Sequence, residues 1–278
     1  MIIFISLGVG VSKQDNKTFH FIAGLPRSGT TLLSAILSQN PKFHAGMSSP
    51  VAILSSNLID SLSVGTEFDG VVSRETRRDL VKGLFTNYYK NNPQSVVFDT
   101  NRMWCARMQL VKDVFPKAKV IACVRDVAWV MDSLERLYRA NPYENTKLFA
   151  HAEKGTVYTR TEALLSGNRL LGYSLSAVKD AFYGEHASSV LLVDYDLLVA
   201  EPEKVMRLIY SFIGEEWFEH DFTRLSYSAE VFDRVHGIPG MHTVKAKIEL
   251  NQRKSILPPD LFERCHKLSF WQQLKSKP

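Results

Sequence analysis

The stretch Gly24-Leu25-Pro26-Arg27-Ser28-Gly29-Thr30-Thr31 holds two glycines separated by four residues and followed by two hydroxyl side chains. It lies between a short β-prone run, Phe19 to Ala23, and a run with apolar residues at Leu32, Leu33, Ile36 and Leu37, which is helical spacing. Strand, glycine loop, helix is the local order that cradles a phosphate, because loop N–H groups and the helix N-terminus converge on an anion. A plain Gly/Pro turn before a helix would use the same residue types, but the flanking strand and helix favour the cradle. Pro26, Arg27, Ser28, Gly29, Thr30 and Thr31 are expected to line it. ATP-binding loops carry a Lys that reaches the β- and γ-phosphates where this chain has Thr30. Losing that point charge argues against a triphosphate, and Arg27 is placed to touch the outer oxygens of a shorter anion.

A second set lies downstream. Arg125 follows the apolar run Val120 to Val124, so its guanidinium emerges at a strand end, where a bidentate phosphate contact is favourable. Ser133 stands about two helical turns further on and can add a hydroxyl donor. Taken alone, Arg125-Asp126 reads more readily as a salt bridge at a helix entry, and Tyr195 as a strand-end core tyrosine. Asp99 closes another β-prone run and could take a proton, with Arg102 as a nearby cation. His242 is a second candidate base and His44 a weaker third. Asp99 could instead cap the helix that follows it, and His242 could hydrogen-bond a loop.

The elements that must position these residues alternate. Strands are expected at Phe19–Ala23, Ser95–Phe98, Val120–Val124 and Val190–Val193. Helices are expected over Thr31–Leu37, Met103–Phe115, from Asp126 as N-cap through Tyr138, and Val205–Ile213. Alternating strands and helices predict a three-layer α/β fold around a parallel sheet, with ligands beyond the C-terminal strand ends. The chemically interesting residues cluster at those ends.

Bulk properties narrow the choice. At 278 residues and 45% hydrophobic there is enough apolar material for a full core, and no Pro/Gly/Ser run divides the chain. Residues 19–278 are read as one domain, with 1–18 as a peripheral segment whose apolar part, Met1 to Val11, is too short to span a bilayer. The net charge of +5 is spread along the chain, which fits a pocket for a small polyanion and disfavours nucleic acid. Three scattered cysteines, Cys105, Cys123 and Cys265, point to reduced thiols in a cytoplasmic protein, and no histidine spacing suggests a metal.

In their order, these motifs resemble the sulfotransferases that use 3′-phosphoadenosine 5′-phosphosulfate (PAPS), and in particular the bacterial relatives of tyrosylprotein sulfotransferase. Pro26 to Leu33, PRSGTTLL, is similar to the family's 5′-phosphosulfate loop. Val124-Arg125-Asp126 with Ser133 is similar to its 3′-phosphate site. Val193-Asp194-Tyr195-Asp196-Leu197-Leu198, followed by Pro202 and Met206-Arg207, is similar to a third landmark in which a Tyr lies near the nucleotide.

The resemblance implies a P-loop NTPase-like fold with a central parallel sheet. It implies transfer of a sulfuryl group from PAPS to a hydroxyl or amine acceptor, with 3′-phosphoadenosine 5′-phosphate (PAP) as product and no metal. It also implies a basic C-terminal segment that closes over the nucleotide, making Lys245 or Lys247 a phosphate contact, and Arg27 as the stabilising cation.

The chain departs from the family's peptide-tyrosine pattern twice. Gly46-Met47-Ser48-Ser49 carries no acid where that pattern has Gly-Glu-Glu, and Asp99-Thr100-Asn101-Arg102 has no Lys. These departures leave the acceptor open among a small phenol, a sugar and a peptide side chain. Residues 47–72 and 139–160, with Phe68, Tyr143, Phe149 and Tyr158, are expected to line its pocket. A P-loop kinase and a nucleotide-binding module without catalysis are the competing readings.

Overall fold

The computed structural model describes residues 17–63, 65–68, 70–141, 143, 148–225, 242, 248 and 253–275. Most of the apolar N-terminal segment and Lys245 and Lys247 lie outside the described residues. Five strands form one sheet: β1 (Thr18–Gly24), β2 (Phe43–Ser48), β3 (Val96–Thr100), β4 (Val120–Val124) and β5 (Val190–Asp194). Their order is β2-β3-β1-β4-β5, and every neighbouring pair is parallel. Helix α1 (Thr30–Leu37) follows β1; α2 (Val51–Ser61) and α3 (Arg74–Tyr88) join β2 to β3. Then come α4 (Met108–Val114), α5 (Val127–Ala140), α6 (Val157–Leu165), α7 (Leu170–Tyr183), α8 (Tyr195–Ala200) and α9 (Pro202–Ile213). Near the C-terminus lie α10 (Pro259–His266) and the short α11 (Gln272–Lys275).

Strand alternation builds the three layers. Phe19, Phe21 and Ala23 of β1 join Val120, Ala122 and Val124 of β4 in one core with Trp104, Phe85 and the inner faces of α5 and α7. Ile22, Phe98, Ile121 and Cys123 point the other way, onto Leu33 and Ile36 of α1 and Met206, Ile209 and Tyr210 of α9. β1, β3 and β4 are buried along both faces apart from the first residue of β1, which explains their near-continuous apolar runs. Cys105, Cys123 and Cys265 are buried and unpaired. No helix among the described residues is long and apolar enough to cross a membrane.

The expected three-layer α/β fold and the four expected strands are all present, and Asp126 caps α5 by accepting from the Ala128 N–H at 2.9 Å. Three local expectations change. The Met103–Phe115 segment is a 3₁₀ turn over Arg102–Arg107 followed by the shorter α4. β3 runs on to Thr100, so Asp99 lies inside the strand, and Asn101 caps the turn by accepting from the Met103 N–H. β2 was not anticipated: FHAGMS lacks the β-branched residues that mark a strand, and pairing with β3 holds it in place.

Candidate active site

The loop between β1 and α1 is fixed from below. The Leu25 N–H donates to the Cys123 carbonyl at 2.9 Å, and the Ser28 hydroxyl reaches the same carbonyl at 2.8 Å and that of Leu25 at 2.6 Å. Ser28 is therefore buried and its hydroxyl braces the loop against β4. Gly24 has φ +126°, and a Cβ there would fall 2.0 Å from the Cys123 carbonyl oxygen. Arg27 is the one non-glycine with positive φ (60°) among the described residues. Such a conformation costs about 1–2 kcal/mol and collects at functional sites. α1 starts from Gly29 with no side-chain cap and no acid in its first turn, so its first N–H groups remain available to an anion. Pro26, Thr30 and Thr31 are half-buried around that opening.

β4 and β5 supply the second part. Arg125 follows the last residue of β4, and its guanidinium carbon lies 4.3 Å from the ring centre of Tyr195, at the start of α8. Tyr195 packs against the loop in turn: a Cβ on Gly29 would lie 2.7 Å from its Cδ2. The Arg125 Nε is buried and has no hydrogen-bond partner among the described residues. A buried guanidinium donor left unpaired is costly, and an anion beside it would remove that cost. Ser133 on α5 accepts from the Arg27 Nε at 3.0 Å, joining the loop to α5. Arg27, Gly29, Arg125, Ser133 and Tyr195 are thus brought together from three strand ends.

Sequence reasoning missed Arg253. It pairs with Asp132 at 2.6 Å and stands over the Trp129 ring at 5.7 Å. Partial burial lowers its pKa, Asp132 opposing this and the guanidiniums of Arg136 and Arg125 adding to it. Two arginines, Arg136 and Arg253, pair with Asp132, and Arg125 is close enough to Arg253 to act on it electrostatically. The Arg253-Lys254 pair was the available signal, and it sits in a stretch without helical or strand periodicity.

On the other side of β1 the expected base has no open face. Asp99 is fully buried; its Oδ2 accepts from Ser49 Oγ at 2.5 Å and Tyr89 Oη at 2.6 Å, and its Oδ1 from Trp104 Nε1 at 2.7 Å. Burial raises its pKa, and the three donors pull in the opposite direction. His44 lies near the start of β2, away from the ligand edge, its ring 5.4 Å from that of Tyr89, and burial lowers its pKa. Arg102 begins the 3₁₀ turn beyond β3. It is exposed, surrounding protein lowers its pKa, and Tyr173 of α7 counters the shift. His242 is half-buried, and its immediate neighbours in sequence lie outside the described residues.

The arrangement can hold a phosphorylated nucleotide between the loop and the β4 end, leaving the β3 side to a second substrate. Residues 20–219 match the family model described as the sulfotransferase family. No curated protein matches the chain in sequence. Among solved structures, the sulfotransferase domain from the curacin biosynthetic pathway is similar at TM-score 0.56 and 14% identity, over 94% of this chain and 98% of that one. Sulfotransferase STF9 from Mycobacterium avium has TM-score 0.52 and 15% identity, over 94% and 77% of the two chains. A sulfotransferase from Alicyclobacillus acidocaldarius has TM-score 0.50 and 17% identity, over 79% and 89%.

Proposed function

The chain belongs to the sulfotransferase family and transfers a sulfuryl group, and from that premise we propose that its donor is PAPS, bound between the β1 loop and the end of β4. The observation that carries the reading is the buried Nε of Arg125, without a hydrogen-bond partner among the described residues, beside Tyr195, which itself packs on Gly29 of the loop. A ligand with phosphate at both ends suits a site with two anion subsites in contact. Thr30 in place of the ATP-type Lys favours a ligand with a single 5′-phosphoryl group.

PAPS supplies an activated sulfuryl group; the chain supplies position and charge. The loop N–H groups and the α1 N-terminus hold the 5′ end, with Arg27 aimed at the oxygens where negative charge spreads. Arg125, Ser133 and Arg253 hold the 3′-phosphate, and Lys245 is a further contact from the segment preceding Arg253. Arg102 and Tyr173 form the acceptor wall. Asp99, enclosed by three donors, positions the β3 edge and does not take the proton; of the candidate bases, His242 takes that role. The three donors around the Asp99 carboxyl account for its lying within β3 without an open face. Residues 19–278 are read as one domain, a reading supported by the packing of Arg253, His266 and Ser269 on α5 and its N-cap Asp126.

Binding of PAP and of ATP, followed by thermal shift, tests the reading, with Arg125→Ala as control. Stabilisation by PAP alone, lost in the variant, is the expected outcome. Stabilisation by ATP and not by PAP would overturn it in favour of a kinase. Loss of turnover in His242→Ala, with PAP affinity intact, checks the base.

A further inference from the structure

We propose that Asp132 is a positioning residue for nucleotide binding: it latches residues 253–256 onto α5 so that Arg253 stands beside Arg125 and Tyr195. The proposal rests on the PAPS reading of the site. Asp132 is fully buried, one residue before Ser133, and its carboxylate is filled. Oδ1 accepts from the Ser255 hydroxyl at 3.1 Å and the Ile256 N–H at 2.8 Å. Oδ2 accepts from Arg136 Nε at 2.9 Å and pairs with Arg253 at 2.6 Å. One turn along α5, Arg136 Nη2 donates to the Lys254 carbonyl at 2.7 Å.

Two side chains of one helical turn thus hold four consecutive residues that lie beyond the family match at 20–219. Adjacent residues divide the work: Ser133 meets Arg27 of the loop, and Asp132 meets the C-terminal segment. A carboxylate offers roughly four lone-pair sites, and all four are used. Charge gives the latch its functional sense. A purely structural clamp needs one cation against Asp132, whereas Arg253 is held near the like-charged Arg125 and Arg136. Bringing guanidiniums together is unfavourable until an anion lies between them.

The test is calorimetric binding of PAP to the wild-type chain, Asp132→Asn, Arg253→Ala and the double variant, with thermal unfolding of each. Limited trypsin digestion at Arg253 and Lys254 without nucleotide runs alongside. Each single variant should weaken PAP about tenfold, and the double variant no further, because partners in one network are non-additive. Trypsin should cut Asp132→Asn several times faster than wild type. PAP affinity within twofold of wild type in Asp132→Asn, or losses that multiply in the double variant, would overturn the proposal. Should Asp132→Asn fail to fold, Ser255→Ala replaces it, expected to weaken PAP about threefold alone and not at all on Arg253→Ala. A wild-type chain indifferent to PAP sinks the nucleotide reading and the positioning role together. A trypsin difference that survives in that case marks the latch as structural.

Discussion

β4 and β3 flank the loop-bearing strand β1 on either side, and they end in opposite electrostatic states. Beyond β4 stands Arg125, a cation whose Nε has been removed from water and left without a hydrogen bond among the described residues. Just inside the end of β3 lies Asp99, a buried carboxyl whose oxygens take three protein donors. The two residues look alike in sequence, each closing an apolar strand. Among the described residues one keeps an unspent donor and the other has its oxygens filled. Ligand-edge position is therefore a poor guide to chemistry unless the side chain's own hydrogen bonds are counted.

The largest expected effect breaks the Asp99 cage. Asp99→Ala strands Ser49, Tyr89 and Trp104 in the core and should cost about 4 kcal/mol of stability, read by denaturant unfolding. A variant of native stability that binds PAP and turns nothing over would instead make Asp99 the base and erase the contrast.

Acid stability sharpens the same point. His20 and His220 are buried and their pKa values fall to about 4, burial being the main cause in both. The unfolded chain then takes up protons below its ordinary value of 6.5 that the folded chain refuses. Stability should drop by about 3 kcal/mol per histidine as pH falls from 6.5 to 4. Asp99 works the other way: its raised pKa adds stability as pH falls through it. Unfolding measured across this range should show a net loss on acidification. A rise would mean that the raised pKa of Asp99 outweighs the two histidines.

On the β4 side, Arg125→Ala should weaken PAP about 100-fold, near 3 kcal/mol, with little change in melting temperature. Affinity unchanged in a folded variant would mean that its buried Nε serves packing alone. Gly29→Ala is the smallest change. At φ +91° and 2.7 Å from Tyr195, the new methyl should displace that ring and cost about tenfold in PAP affinity by calorimetry.

Much of the architecture is legible in local sequence patterns. Strand, glycine loop and helix over 19–37 are local patterns, and so is Arg125 after five apolar residues. β2 was hidden because its weak propensity is overridden by pairing with β3. Arg253 was hidden because its partner Asp132 lies 121 positions earlier and neither carries a periodic signal. Asp99 misled for the same reason: Ser49 is 50 residues away, and no spacing rule connects them.

By itself the sequence determined where backbone geometry is dictated locally. That covers the glycines at positive φ, the alternation that gives three layers, and the loop that opens onto a helix N-terminus. These depend on steric limits and side-chain period, which act over a few residues. Tertiary structure alone decided which charged side chains were satisfied. Packing set a tyrosine under Arg125 and an aspartate against Arg253, and it closed three donors around Asp99. Whether a buried charge serves the fold or the ligand depends on partners that arrive from distant segments.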